Sequence, residues 1–157
     1  MKTEEPEDKI EFDKEDYNAV VKGAQLLEVA LTASEFTIKP EFFSDEGKRK
    51  LGTEYELLNC DFQDHILIIL VRFGATARQG NKKLLKVKAD YNVVFEIAGD
   101  NLNAEAAKAF GSHMAQFTAY PYFRQHVAAL SWESGADLPV LPIIRKMPTK
   151  RIAAADD

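Results

Sequence analysis

Tyr91–Phe117 reads YNVVFEIAGDNLNAEAAKAFGSHMAQF, and its hydrophobic period changes once along the way. Tyr91, Val93, Phe95 and Ile97 alternate with Asn92 and Glu96, the two-residue period of a half-buried strand. Gly99-Asp100-Asn101-Leu102-Asn103 interrupts that pattern and offers Asn103 as a helix N-cap, with Glu105 in the first turn. Phe110, Met114 and Phe117 then recur at i, i+4 and i+7, one apolar stripe along a helix. Whatever precedes this switch belongs to a sheet, and whatever follows it has to cover one face of that sheet.

Three further strand-like segments lie upstream. Lys82–Ala98 is the fourth and last, entered through the turn Gln79-Gly80-Asn81, where Gly and Asn supply positive φ. Ile66–Arg78 is the third; it opens apolar on both faces (Ile66 to Val71) and then turns polar. Thr53–Phe62 is the second, joined to the third by Gln63-Asp64-His65. Hairpin-length links make these three antiparallel neighbours. The first, Leu26–Ile38, alternates Leu27, Val29 and Leu31 with Glu28, Ala30 and Thr32, and Pro40 ends it. Lys39–Gly52 reads as a long connection carrying Phe42, Phe43, Leu51 and the basic run Lys48-Arg49-Lys50. The expected class is α+β, a four-stranded antiparallel sheet followed by a long helix.

Downstream, Pro121 falls inside the helical region, where a missing donor and a steric clash predict a kink or break. The stripe resumes at Phe123, Val127 and Leu130, and Gly135 is a natural stop. In Asp137-Leu138-Pro139-Val140-Leu141-Pro142-Ile143-Ile144, two prolines among apolar residues force an extended, unpaired exit. One helical region can cover one sheet face. The other face is left open, which predicts oligomerisation through sheet or helix faces.

The 157 residues, 46% hydrophobic and 29% charged, suit one globular domain. Residues 1–18 hold eight acids and three lysines, and so carry the whole net charge of −5. We divide the chain into an acidic tail or short helix at 1–22, a domain at 23–148 and a flexible tail at 149–157. No signal sequence and no membrane-length apolar run is present, so a soluble, cytoplasmic protein is expected, without membrane insertion. The acidic balance argues against nucleic acid as a partner.

Nothing resembles a catalytic constellation, so an enzyme is not expected: no nucleophile elbow, phosphate-binding loop or dinucleotide fingerprint is present. Cys60 stands alone and reads as a small buried hydrophobe. His113 and His126 point about 140° apart on a straight helix, which excludes a metal pair on one helix face. Lys48-Arg49-Lys50 reads as a solvated loop. What stands out is apolar material outside regular elements: Phe42, Phe43 and Leu51 in the connection, and Leu138, Val140, Leu141 and Ile143 in the exit. Either these loops seal the domain's own core or they line a groove for another chain.

Tyr120-Pro121-Tyr122-Phe123-Arg124, then Gly135, then Leu138-Pro139-Val140-Leu141-Pro142, resembles the export chaperone family SecB, as does Phe95-Glu96-Ile97-Ala98-Gly99 at the end of the fourth strand. The resemblance spans about residues 25–144 and is specific from about 91 to 142. It implies a dimer of dimers that binds unfolded polypeptides or preproteins in apolar grooves and uses neither ATP nor metal. The family's groove maps here to Leu51, Tyr55, Leu57, Tyr122 and Leu138, to which the residue pattern adds Phe42, Phe43, Val140 and Leu141. Family members that dock on the translocase motor SecA carry acids on the first and fourth strands. The matching positions here hold Ser34, Ile38, Lys86 and Lys88, which argues against SecA docking. The family's second C-terminal helix has no counterpart after Pro148. The resemblance therefore implies a divergent holdase, with a second possibility: a dedicated chaperone for one partner such as the antitoxin of a toxin–antitoxin module.

Overall fold

The computed structural model describes residues 12–44 and 47–143. A short helix, α1 (Lys14–Gly23), leads into β1 (Ala24–Ile38). A one-turn helix, α2 (Glu41–Ser44), sits in the connection to β2 (Lys50–Gln63). Then come β3 (Ile66–Gln79), β4 (Lys82–Ile97) and the long α3 (Ala104–Ser134). All pairings are antiparallel and the strand order is β1-β4-β3-β2, so the long connection carries the chain from one edge of the sheet to the other. This is the α+β architecture that the change of period predicts.

The period-two pattern sets the layers. Leu67, Ile69, Val71 and Phe73 of β3 lie in register with Phe95, Val93, Tyr91 and Ala89 of β4, and all eight are buried beneath α3. Helix and sheet pack tightly at Gly111, where a Cβ would lie 2.9 Å from the Leu67 side chain. Only glycine permits that approach without moving the core. Phe123 stacks on Phe73 with centroids 5.2 Å apart, and Tyr120 packs at 5.8 Å.

The opposite sheet face has no covering element among the described residues. Its middle is ionic: Arg72 donates through two nitrogens to Asp90 (2.7 and 2.9 Å), and Lys86 pairs with Glu35 at 3.4 Å. One end is apolar, with Ile66, Ile68, Leu70 and Val94 in adjoining register positions and Ile68 45% exposed.

Several local expectations need adjustment. The connection ends earlier than Gly52: Lys50 and Leu51 belong to β2, paired with Arg78 and Ala77. Cross-strand pairing with β3 outweighs the loop-like polarity of the basic run. Residues 13–22 take the helical option. Asp13 and Asp16 form a reciprocal capping box, Val20 is fully buried, and Tyr17 packs against Phe110 of α3. Asn103 and Gly135 cap α3 as expected, the latter at φ 69°. The helix does not break at Pro121. The missing donor removes one backbone bond, to the Phe117 carbonyl, while the aromatic packing of Tyr120 and Phe123 on Phe73 holds the turns on either side. The tails before residue 12 and after residue 143 lie outside the described residues.

Candidate functional site

The site is built on the C-terminal half of α3. Gly135 turns the chain out of the helix, and Asp137, at φ 49°, turns it again. The exit segment then runs back along the helix it has just left. Pro139 and Pro142 have no N–H groups, so the segment cannot join a ladder and is held by side chains. Ser131 Oγ accepts from the Leu138 N–H (2.8 Å), Arg124 Nε donates to the Leu141 carbonyl (2.8 Å), and the Tyr120 hydroxyl donates to the Pro142 carbonyl (2.7 Å). Tyr120, Arg124 and Ser131 fall within about 40° of one another around a helix, so they form a single flank. Burial raises the Tyr120 hydroxyl's pKa, and the nearby Arg124 charge lowers it by less.

These latches press part of the segment inward and leave part outside. Ala136 and Leu141 are buried in the core, Leu138 is half-buried, and Val140 (73% exposed) and Ile143 stand in solvent. Between segment and helix lies a cavity of about 370 Å³, walled by Arg124, Val127, Trp132, Leu138 and Val140. At its rim Trp132 is 88% exposed. So large an uncovered indole at the mouth of an apolar cavity is the surface feature that most needs a partner.

The expected groove residues divide. Phe43, Val140 and Tyr122 are exposed; Leu51, Leu57 and Leu138 are half-buried; Phe42, Tyr55 and Leu141 are sealed in the core. Phe42 lies under the Arg49 guanidinium, 3.9 Å from its ring centroid, and Arg49 also donates to the Phe42 carbonyl. That leaves Phe43 outside, edge-on to Phe42 at 5.4 Å. Tyr55 is 3% exposed and packs on Phe73 at 5.2 Å. Its hydroxyl has no partner among the described residues, and its pKa is pushed up to about 12, mainly by burial and further by Cys60. Cys60 itself is half-buried, with Sγ 3.6 Å from the Lys108 carbonyl, and burial raises its pKa too.

Tyr122 stands apart. It points about 160° away from both Tyr120 and Arg124 around the helix, so it faces away from the exit segment. One turn on, His126 Nε2 lies 2.7 Å from Ser34 Oγ on β1, which places Tyr122 on the β1 flank. The four positions that match the acids of motor-docking relatives also separate. Ser34 and Ile38 pair with Ala89 and Leu85 and so lie on the helix side, whereas Lys86 and Lys88 lie on the open face.

Ser131 and Trp132 have no place in the sequence pattern, and Tyr120 and Arg124 stand there only as members of a motif, with no role in holding the exit segment. The available signal was polar: three hydrogen-bonding side chains sharing one helix flank, followed by a proline-rich segment whose carbonyls lack strand partners.

No family model matches the sequence, and no curated protein matches it either. Solved structures do match. One is the SecB-like chaperone of Mycobacterium tuberculosis, solved in complex with a ChAD peptide from the HigA1 antitoxin. It superposes with a TM-score of 0.70 at 15% sequence identity, covering 85% of this chain and 99% of that one. The likeness in sequence motifs is thus matched by a likeness in architecture: this chain has the SecB-like chaperone fold.

Proposed function

We propose that this chain is an ATP-independent chaperone that holds unfolded or aggregation-prone polypeptide segments. The observation that carries the reading is the apolar seam between the exit segment and α3, with Trp132 and Val140 left uncovered in a SecB-like fold. Phe43 in the connection is exposed, and Leu51 and Leu57 on β2 are half-buried, so they add apolar surface apart from that seam. Burying about four such side chains yields roughly 6–12 kcal/mol gross. Ordering and association cost much of that, at least ~4 kcal/mol. One segment therefore binds weakly and leaves without a nucleotide-driven step.

A dedicated role, guarding one partner such as an antitoxin, is the second reading. It is favoured by the antitoxin peptide held by the Mycobacterium tuberculosis structure and by Lys86 and Lys88 on the open face, where motor-docking relatives carry acids. A cytoplasmic setting suits both readings.

The test is suppression of aggregation of a denatured client. Phe43→Asp and Val140→Asp alter exposed side chains, so the far-UV spectrum should hold while suppression falls about tenfold. Full suppression by both variants would overturn the reading. Tyr55 and Leu141 are unsuitable for this test, because an acid at either position would be buried and would unfold the chain.

A further inference from the structure

The cavity beside the exit segment holds more than apolar surface. Arg124 is half-buried in its wall, and its Nε is engaged by the Leu141 carbonyl. The two terminal nitrogens of a guanidinium remain as donors. Among the described residues, no carboxylate lies within ion-pair distance of Arg124. Asp137 also lines the cavity, but it is exposed. A solvated carboxylate is well screened, whereas a cation set against apolar walls is screened less. The field inside the cavity therefore favours an anion.

We propose that this cavity recognises a polypeptide segment presenting a bulky apolar side chain next to a carboxylate, the apolar group entering between Trp132, Val127 and Val140 and the carboxylate meeting the Arg124 guanidinium. The proposal rests on the chaperone reading and refines it by giving the client segment a charge. Planar, two-point contact is the arrangement a guanidinium offers a carboxylate. Asp137 opposes the same ligand, so it sets the threshold that a segment must exceed.

Trp132 is the sole tryptophan, so intrinsic fluorescence reports occupancy of this cavity directly. The probes are two tryptophan-free, end-blocked peptides, one with phenylalanine beside glutamate and its twin with glutamine. In low salt we expect the glutamate peptide to bind about tenfold tighter. The preference should shrink at 1 M salt, where the screening length is about 3 Å. Arg124→Lys keeps the charge but loses the fork, and should erode the preference. Asp137→Asn changes an exposed residue to one that also tolerates positive φ, and should strengthen binding of the glutamate peptide alone. That gain is not expected from a purely structural role. Equal affinity for the twins, or no gain in Asp137→Asn, overturns the proposal and leaves the chaperone reading standing. No response of Trp132 with client suppression intact also overturns it. Loss of both binding and suppression would overturn the two together.

Discussion

At the scale of single residues, Tyr55 shows how far face assignment goes. Alternation along β2 puts it on the same face as Leu51 and Leu57, and the family resemblance counted all three as groove residues. Burial depends on what lies above, and α3 covers this part of the sheet. The hydroxyl is consequently trapped without a partner among the described residues. An unsatisfied buried hydroxyl costs about 1–3 kcal/mol, so Tyr55→Phe should stabilise the fold by roughly 1 kcal/mol in urea unfolding near neutral pH. A loss of that size instead would mean that the hydroxyl is satisfied. The pH dependence has a definite sign. Tyr55 and Tyr91 are both pushed from 10.0 up to about 12 by burial, with Cys60 adding to the shift at Tyr55. Between these values the unfolded chain has released protons that the folded chain still holds, so stability is fully present below pH 10 and falls as pH rises toward 12. Tyr55→Phe should flatten part of that decline.

At the scale of elements, local signals read best where a cap or a turn decides the outcome. Asn103 and Gly135 bounded α3 correctly because capping is chemistry within a few residues. The start of β2 was legible only to within three residues, because pairing with β3 decides it and no residue at that end announces it. The exit segment was read as extended, but its path back along α3 depends on contacts with Tyr120, Arg124 and Ser131. The latch makes a specific prediction. Tyr120→Phe combined with Ser131→Ala removes two of its three hydrogen bonds, each worth about 1 kcal/mol. Limited proteolysis within 136–143 should accelerate several-fold while the helical signal is retained, and peptide binding should weaken. An unchanged cleavage rate would show that burial of Leu141 alone holds the segment.

At the scale of the whole molecule, the α+β architecture was legible because strand spacing, the long connection and the change of period agree with one another, whereas the likeness to SecB was carried by the Tyr120–Arg124 and Leu138–Pro142 motifs. The arrangement of the binding surface was not. Nine residues nominated from pattern and resemblance resolve into a sealed set (Phe42, Tyr55, Leu141), an open set (Phe43, Tyr122, Val140) and a half-buried set (Leu51, Leu57, Leu138), and Tyr122 falls on another flank. Sorting them requires knowing which side of α3 the exit segment takes, a tertiary fact. The open sheet face, part ionic and part apolar, is the competing surface for a client. The most direct measurement is amide hydrogen exchange of the full chain, with and without a saturating, permanently unfolded polypeptide. Slowed exchange is expected in the exit segment, at residues 136–141, and around Phe43. Unchanged exchange in both places, with slowing confined to the strands beneath Ile66, Ile68 and Val94, would contradict that expectation.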